Sequence, residues 1–400
     1  MIDPITLPYS SETARTWADV SPDALRNNAR LLQPHIGPTG ELMAVVKANA
    51  YGHGSEPVAR FCSEAGIRRL AVATVAEATE LRRQFPAVEI HLLAPFLLEE
   101  AEDLVRNDIV PFVSSLAQTN ALIAEARSQQ RQGRVFVCLD TGMGREGGDS
   151  EEASAIFGRT LDQPEVRPIG IATHFASADE AEGTTVTRAQ IDAFFAFLRR
   201  PEVRSRSLAR PDGGKLRLSL SNSPATLLHP LPPLPEGVGG YLFRAGLALY
   251  GIEPCRGAFT RLPGLRPVLE WKARVTLVRD LPTGATVGYG RTFTILRPSQ
   301  VATVAAGYAD GLPRRLSNTG VVLIDGQRFP IIGRVSMDQC QVDVTDSRRP
   351  IRPGDVATLI GSDGDEIVSV LDVAETVDAT PHELTTGLSA RVVRRYPSSA

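Results

Sequence analysis

Cysteine is scarce and scattered: the four in this 400-residue chain (Cys62, Cys138, Cys255 and Cys340) include no close pair. Zinc and dithiol redox motifs need such pairs, so no metal site is expected and a reduced, cytoplasmic setting is the simplest fit. An uninterrupted apolar run of about eighteen residues is also missing, so no membrane-spanning helix is expected. The start, MIDPITLPYSSETARTW, has no basic stretch followed by an apolar core, and no secretory signal is expected there. Charge of one sign is not in excess either. A formal net charge of −3 gives no electrostatic reason to expect nucleic acid or an anionic membrane as partner.

What is present is ordinary for a globular chain: 42% hydrophobic and 22% charged residues, close to the usual proportions. The length exceeds what one typical core accommodates and suggests about two domains. From about residue 40 to 250, short β-rich runs alternate with stretches of helical spacing such as VAEATELRRQ and RAQIDAFFAFLRR. The runs are LMAVV (42–46), RLAVA (69–73), VEIHLL (88–93), IVPFV (109–113), RVFVCL (134–139), PIGIAT (168–173), LRLSL (216–220) and one near LFRAGLALYG (242–251). Such alternation predicts parallel strands joined by right-handed crossovers, and eight units suggest a closed (β/α)8 barrel. An open doubly wound sheet is the competing arrangement. The Pro- and Gly-rich LHPLPPLPEGVGG (228–240) reads as an exposed loop.

After about residue 265, runs such as ARVTLV, VATVAAGYA, GVVLIDG, FPIIG, CQVDVT and DVATLIG follow one another with turn signals between them. Pro282-Thr283-Gly284, Asp325-Gly326 and Pro353-Gly354-Asp355 are such turns. Little helix is expected here. The reading is a barrel domain over 1–264, with a short N-terminal strand, followed by an all-β domain over 265–400.

The sharpest local feature is AVVKANAYGHG (44–54). A lysine directly after an apolar strand would sit at the mouth of a barrel, where such barrels do chemistry. Partly desolvated, its amine becomes a usable nucleophile; the plain alternative is a solvated lysine at a strand end. Arg145, His174, Ser223 and Arg244 follow or lie in other strand units. Singly, each has an ordinary explanation: a surface arginine, a core histidine, a turn serine, a salt-bridged arginine. Jointly, they converge several groups on one mouth.

The motifs AVVKANAYGHG, DTGMGR, THFASAD, SNSPAT, RAGLALYG, RVTLV with VGYG, GYADG and GRVSMDQ occur in the order found in alanine racemases. The sequence resembles that family from about residue 15 to 395. The resemblance implies a fold-type III pyridoxal 5'-phosphate (PLP) enzyme with an N-terminal (β/α)8 barrel, a C-terminal β domain and a head-to-tail homodimer. It implies racemisation of alanine, supplying D-alanine for peptidoglycan. Carried over residue by residue, Lys47 would form the Schiff base with PLP and act as one of two bases. Tyr308 would be the second base, supplied by the other subunit. Tyr51, Ser223 and the amides of Gly246 and Leu247 would contact the phosphate. His174 would lie against the pyridine ring, with Arg244 at its nitrogen. Arg145 and the amide of Met337 would meet the substrate.

Three positions depart from the family pattern. Cys138 stands where many members carry a lysine whose carbamate orients the equivalent of Arg145. Glu146 replaces a usual leucine. His382 aligns with a tyrosine that helps bind phosphate, and histidine titrates near neutrality. These departures motivate one alternative, a racemase of broader specificity acting on serine or lysine for example; a PLP-binding protein without turnover is the alternative from another class.

Overall fold

Eight parallel strands close into a barrel: Gly40–Val45, Arg69–Val72, Glu89–Leu92, Ile109–Val113, Gly133–Cys138, Val166–Ala172, Leu216–Ser219 and Val238–Ala245. The first strand pairs with the last, Gly40–Ala44 against Tyr241–Ala245, which excludes the open sheet. Strands covered on both faces need apolar residues throughout, and Ile109–Val113 is buried at every position. The computed structural model describes residues 13–180, 183–208 and 214–397. Residues 1–12, most of the stretch in which no secretory signal is expected, lie outside them. No described helix is long and apolar enough to cross a membrane.

The chain divides into two compact units. Residues 25–50 and 55–265 form the barrel unit; residues up to Ala24, Tyr51–Gly54 and Arg266 onward form the other. Within the barrel unit, capped helices return the chain between strands. Thr74 accepts from the Glu77 amide and Glu77 answers in a capping box at the head of the helix Val75–Gln84. Asp149 caps Ser150–Asp162 and Asn222 caps Ser223–Leu228.

Alternate strands stack their side chains in layers inside such a barrel. At the N-terminal end, strands one, three, five and seven contribute Glu41, Glu89, Arg134 and Arg217. Arg134 donates to Glu89 (2.5 Å), Arg217 pairs with Glu41, and Arg69 bridges both acids. Burial opposes ionisation of Glu89, but its bond to His91 and the charges of Arg69 and Arg134 outweigh that and lower its pKa. Two residues along the same strands come Met43, His91, Phe136 and Ser219, all essentially inaccessible. Desolvation keeps His91 neutral, and its Nε2 meets Glu89 at 2.9 Å.

The segment 228–240 is not wholly a loop, because Val238–Gly240 begin the last barrel strand. A Cβ on Gly240 would lie 2.3 Å from the Thr39 carbonyl oxygen. Its glycine thus serves close strand approach, a demand that looks like a turn signal in sequence. Beyond Ala245 the eighth run leaves the sheet.

In the other unit, Leu269–Leu281, Val356–Asp363, Val321–Ile324, Gln327–Ile332, Cys340–Asp343 and Ser299–Val304 pair antiparallel in a circuit that returns to its start. Asp325 and Gly326, at φ 54° and 69°, make the tight turn between two of them. Thr16–Val20 pairs with Leu269–Ala273 and with Val393–Arg395, so strands from the first and last described stretches share this sheet. Trp271, almost fully buried, donates its indole N–H to Thr16 Oγ1 at 2.8 Å. Helices Val370–Val377 and Pro381–Thr386 are additions to the expected β texture.

Candidate active site

Lys47 stands two residues beyond the first barrel strand. Val46 donates to the Ala71 carbonyl (2.8 Å) and Tyr250 hydroxyl to the Val45 carbonyl (2.9 Å), which fixes the strand end before it. The chain then takes a left-handed turn: Ala48, Asn49, Ala50 and Tyr51 have φ of 51–53°. Each such residue costs about 1–2 kcal/mol. Anchors on both sides offset this cost. Glu77 accepts from the Ala48 amide at 2.7 Å and from the amides of Ala73 and Thr74 at 3.0 and 3.2 Å. Asn49 Oδ1 accepts from Ser55 (2.8 Å), and Ala50 donates to the Val46 carbonyl (2.8 Å).

A cavity of about 100 Å³ at this end of the barrel is lined by Lys47, Cys138, Arg145, Glu146, His174 and Arg244, among others. Burial, and then the charge of Arg145, lower the Lys47 pKa below 10.5; Glu146 and Glu77 oppose this, and Arg244 adds to it. The neutral amine is therefore more populated than in an ordinary lysine.

Arg244, on the last strand, is 4% exposed. Its Nη1 donates to Ser219 carbonyl (2.9 Å) and hydroxyl (2.7 Å), and its Nη2 to the carbonyls of Thr173 (2.8 Å) and Leu220 (3.0 Å) and to His174 Nδ1 (3.0 Å). Burial lowers its pKa to about 10, which leaves it charged at neutrality. Its Nε–H makes no hydrogen bond among the described residues and remains for a ligand. Arginine only donates, so His174 Nδ1 accepts and Nε2 carries the proton. Burial and the charges of Arg244, Arg145 and Lys47 push His174 down to about 2, so it stays neutral.

Ser223 opens the helix that follows the seventh strand. Its Oγ accepts from the amides of Gly246 and Ala248, both at 3.1 Å. With both lone pairs used, the hydroxyl has only a proton to offer outward. The Leu247 amide between those two makes no hydrogen bond among the described residues. A hydroxyl donor beside a free amide suits an anionic group such as phosphate. The donor set therefore fits PLP: an amine, a neutral imidazole, a cation with a spare N–H, and an anion cradle.

Tyr51, Tyr308 and Met337 belong to the other unit. Tyr51 is pushed up to about 12 by burial, and its ring meets that of His382 edge-on, centroids 6.1 Å apart. Tyr308 (44% exposed) and Met337 (52% exposed) are brought together by two bonds, Tyr308 N–H to Ser336 carbonyl (3.0 Å) and Ala309 N–H to Met337 carbonyl (2.9 Å). A Cβ on Gly307 would lie 2.3 Å from the Met337 oxygen, so glycine permits this approach.

Glu77 and Gln190 were not singled out in the sequence. Glu77 was legible as the acid of a T-x-x-E capping box after a strand. Gln190, 2% exposed, donates to the His174 carbonyl (3.0 Å) and Thr141 hydroxyl (3.2 Å); nothing in its helical context marks it.

Comparisons with known proteins show the family to which the chain belongs. Residues 20–254 match the N-terminal domain model of alanine racemase and residues 268–396 the C-terminal one. An alanine racemase of Halothermothrix orenii is 37% identical over 96% of this chain and 97% of its own. The structure of the Streptomyces coelicolor enzyme superposes with a TM-score of 0.86 at 33% identity, covering 97% of this chain and 99% of that one. That of Bartonella henselae alanine racemase, with covalently bound pyridoxal phosphate, gives 0.81 at 30% identity, covering 96% and 100%. The chain belongs to the alanine racemase family.

Proposed function

We propose that this chain interconverts L-alanine and D-alanine on PLP, using Lys47 of one copy and Tyr308 of a second copy in a homodimer as opposed acid–base groups. The half-buried Lys47 amine, held down in pKa at a cavity it shares with two arginines and a neutral histidine, carries the reading. When bound, PLP acidifies the α-proton of an attached amino acid by delocalising the charge left behind. Racemisation then needs a proton taken from one face and another delivered to the opposite face.

Lys47 would hold the cofactor and serve one face; Tyr308 would serve the other. Arg244 would offer its spare Nε–H to the ring nitrogen, and its permanent charge opposes protonation there. His174 would lie against the ring, and Ser223, the Leu247 amide and Tyr51 would hold the phosphate. Gly246 would act by fixing the Ser223 hydroxyl, since its amide is already bonded to it. The Tyr51 and His382 ring contact supports His382 in the role of the usual tyrosine. Arg145 and the Met337 amide would bind the substrate carboxylate and its surroundings. D-Alanine for peptidoglycan is the corresponding cellular product, made in the cytoplasm; the four unpaired cysteines fit that compartment.

The test is chiral analysis of products from PLP-loaded protein given L-alanine and, separately, L-serine and L-lysine. D-Alanine forming fastest, with none from Lys47→Ala, is expected. Absence of any D-amino acid would leave a PLP-binding protein without turnover.

A further inference from the structure

The departures at Cys138 and Glu146 raise one question: what fixes Arg145. Burial, and then the charge of Glu146, push the Cys138 thiol up to about 12, so this position supplies no countercharge. Two carboxylates line the cavity, Asp140 and Glu146. Asp140 is committed to its own loop, accepting from the amides of Gly142 (2.8 Å), Met143 (2.9 Å) and Gly144 (3.0 Å). Glu146 remains. Its Oε1 accepts from Arg145 Nε at 2.8 Å, and its side chain is only 16% exposed.

The loop that carries both residues is closed by backbone hydrogen bonds. Its ends are tied by Asp140 N–H to Gly148 carbonyl (2.9 Å) and Gly148 N–H to Cys138 carbonyl (3.1 Å). Gly147, at φ 92°, donates to Ser114 Oγ (3.0 Å), and a Cβ there would lie 2.7 Å from the Asp140 nitrogen. Arg145 and Glu146 are thus presented from a closed loop.

The geometry points to Glu146 as a positioning residue for substrate binding: it occupies the Nε of Arg145, leaving the Nη1/Nη2 edge for the substrate carboxylate. A guanidinium can engage a carboxylate through either of two edges. Blocking one fixes the approach of the other. Glu146 also keeps one negative charge beside Lys47, Arg145 and Arg244, so the cavity takes up one carboxylate without an unmatched cluster of cations. This rests on the reading of Arg145 as the substrate's anchor.

The test compares holoenzyme with Glu146→Gln, Arg145→Ala and the double variant. KM for L-alanine, kcat, and calorimetric binding of propionate are measured for each. A half-exposed ion pair sets the scale: Glu146→Gln should raise KM and the propionate Kd about fivefold with kcat little changed. It should have no further effect once Arg145 is alanine. In Glu146→Ala, added formate should lower KM, whereas in the parent it should raise KM by competing with substrate. A KM unchanged or lower in both Glu146→Gln, which keeps an acceptor for Nε, and Glu146→Ala, which does not, overturns the proposal, as does equal loss in the Arg145→Ala background. If Arg145→Ala itself leaves KM and propionate binding unchanged, the reading of Arg145 falls and the proposal with it.

Discussion

Replacing Glu77 by alanine removes the carboxylate that accepts from the amides of Ala48, Ala73 and Thr74 at 2.7, 3.0 and 3.2 Å. Hydrogen bonds to a charged group contribute about 1.5–3 kcal/mol each when well made. Glu77 is half-buried and two of its bonds are long, so a total near 3 kcal/mol is expected, about half of it on the Ala48 amide. That amide heads a left-handed turn of non-glycine residues costing about 1–2 kcal/mol apiece. Without its anchor the turn relaxes, and Lys47 moves with it. A loss of about 1.5 kcal/mol in local stability speeds exchange of the Ala48–Ala50 amides roughly tenfold. Hydrogen exchange of the 44–54 peptide, read by mass spectrometry, measures this directly, and kcat should fall about tenfold or more. Glu77→Gln keeps one acceptor oxygen and should fall between. If the turn exchanges as slowly in Glu77→Ala as in the parent, the carboxylate does not hold it and the argument fails.

Other predictions concern the proposed bases and the thiols. If the proposed homodimer shares its sites, Lys47→Ala and Tyr308→Phe proteins should each be inactive, yet mixing them should restore about a quarter of the parent activity, because one of the two sites in a mixed dimer is intact. No recovery after confirmed exchange would rule out a shared site. Tyr308→Phe should lower racemisation by about 10²–10⁴ while one enantiomer still exchanges its α-proton with deuterated solvent, as followed by NMR. In the apoprotein, the lowered Lys47 pKa means that the unfolded chain binds the extra proton between that value and 10.5, so stability rises with pH across this window. Lys47→Met should therefore melt higher than the parent at neutral pH, with the gap closing by about pH 10.5; a pH-independent gap would contradict the shift. Iodoacetamide should modify partly exposed Cys255 well before buried Cys62, Cys138 and Cys340, as peptide mapping would show.

The barrel strands were legible because each is a short apolar run, and the period change from helix to strand is local. Closure was not: it lies in the pairing of Gly40–Ala44 with Tyr241–Ala245, about two hundred residues apart, which no local pattern encodes. Gly239 and Gly240 look like loop residues in the sequence because close strand approach and chain reversal both call for glycine. The left-handed turn after Lys47 was also invisible, since alanine, asparagine and tyrosine carry no mark of positive φ, and the anchor that imposes it sits on the next strand-to-helix junction. Candidate site residues could be named from motif order, but the bonds of Arg244 to three carbonyls and a histidine depend on strands six, seven and eight lying side by side.

The charged layer at the barrel's other end acts as a key for strand alignment. Partly buried ion pairs such as these contribute little net stability but penalise arrangements that break them. A slip of one residue in any of the four strands would turn its charge out of the barrel and its neighbours in. Along strand five, Arg134, Phe136 and Cys138 face the same way, so a slip that expelled Arg134 would also remove Cys138 from the cavity wall and rotate the start of the loop bearing Arg145. The pairing of Arg134 with Glu89 therefore favours, from the far end of the barrel, the register that keeps Cys138 in the cavity wall.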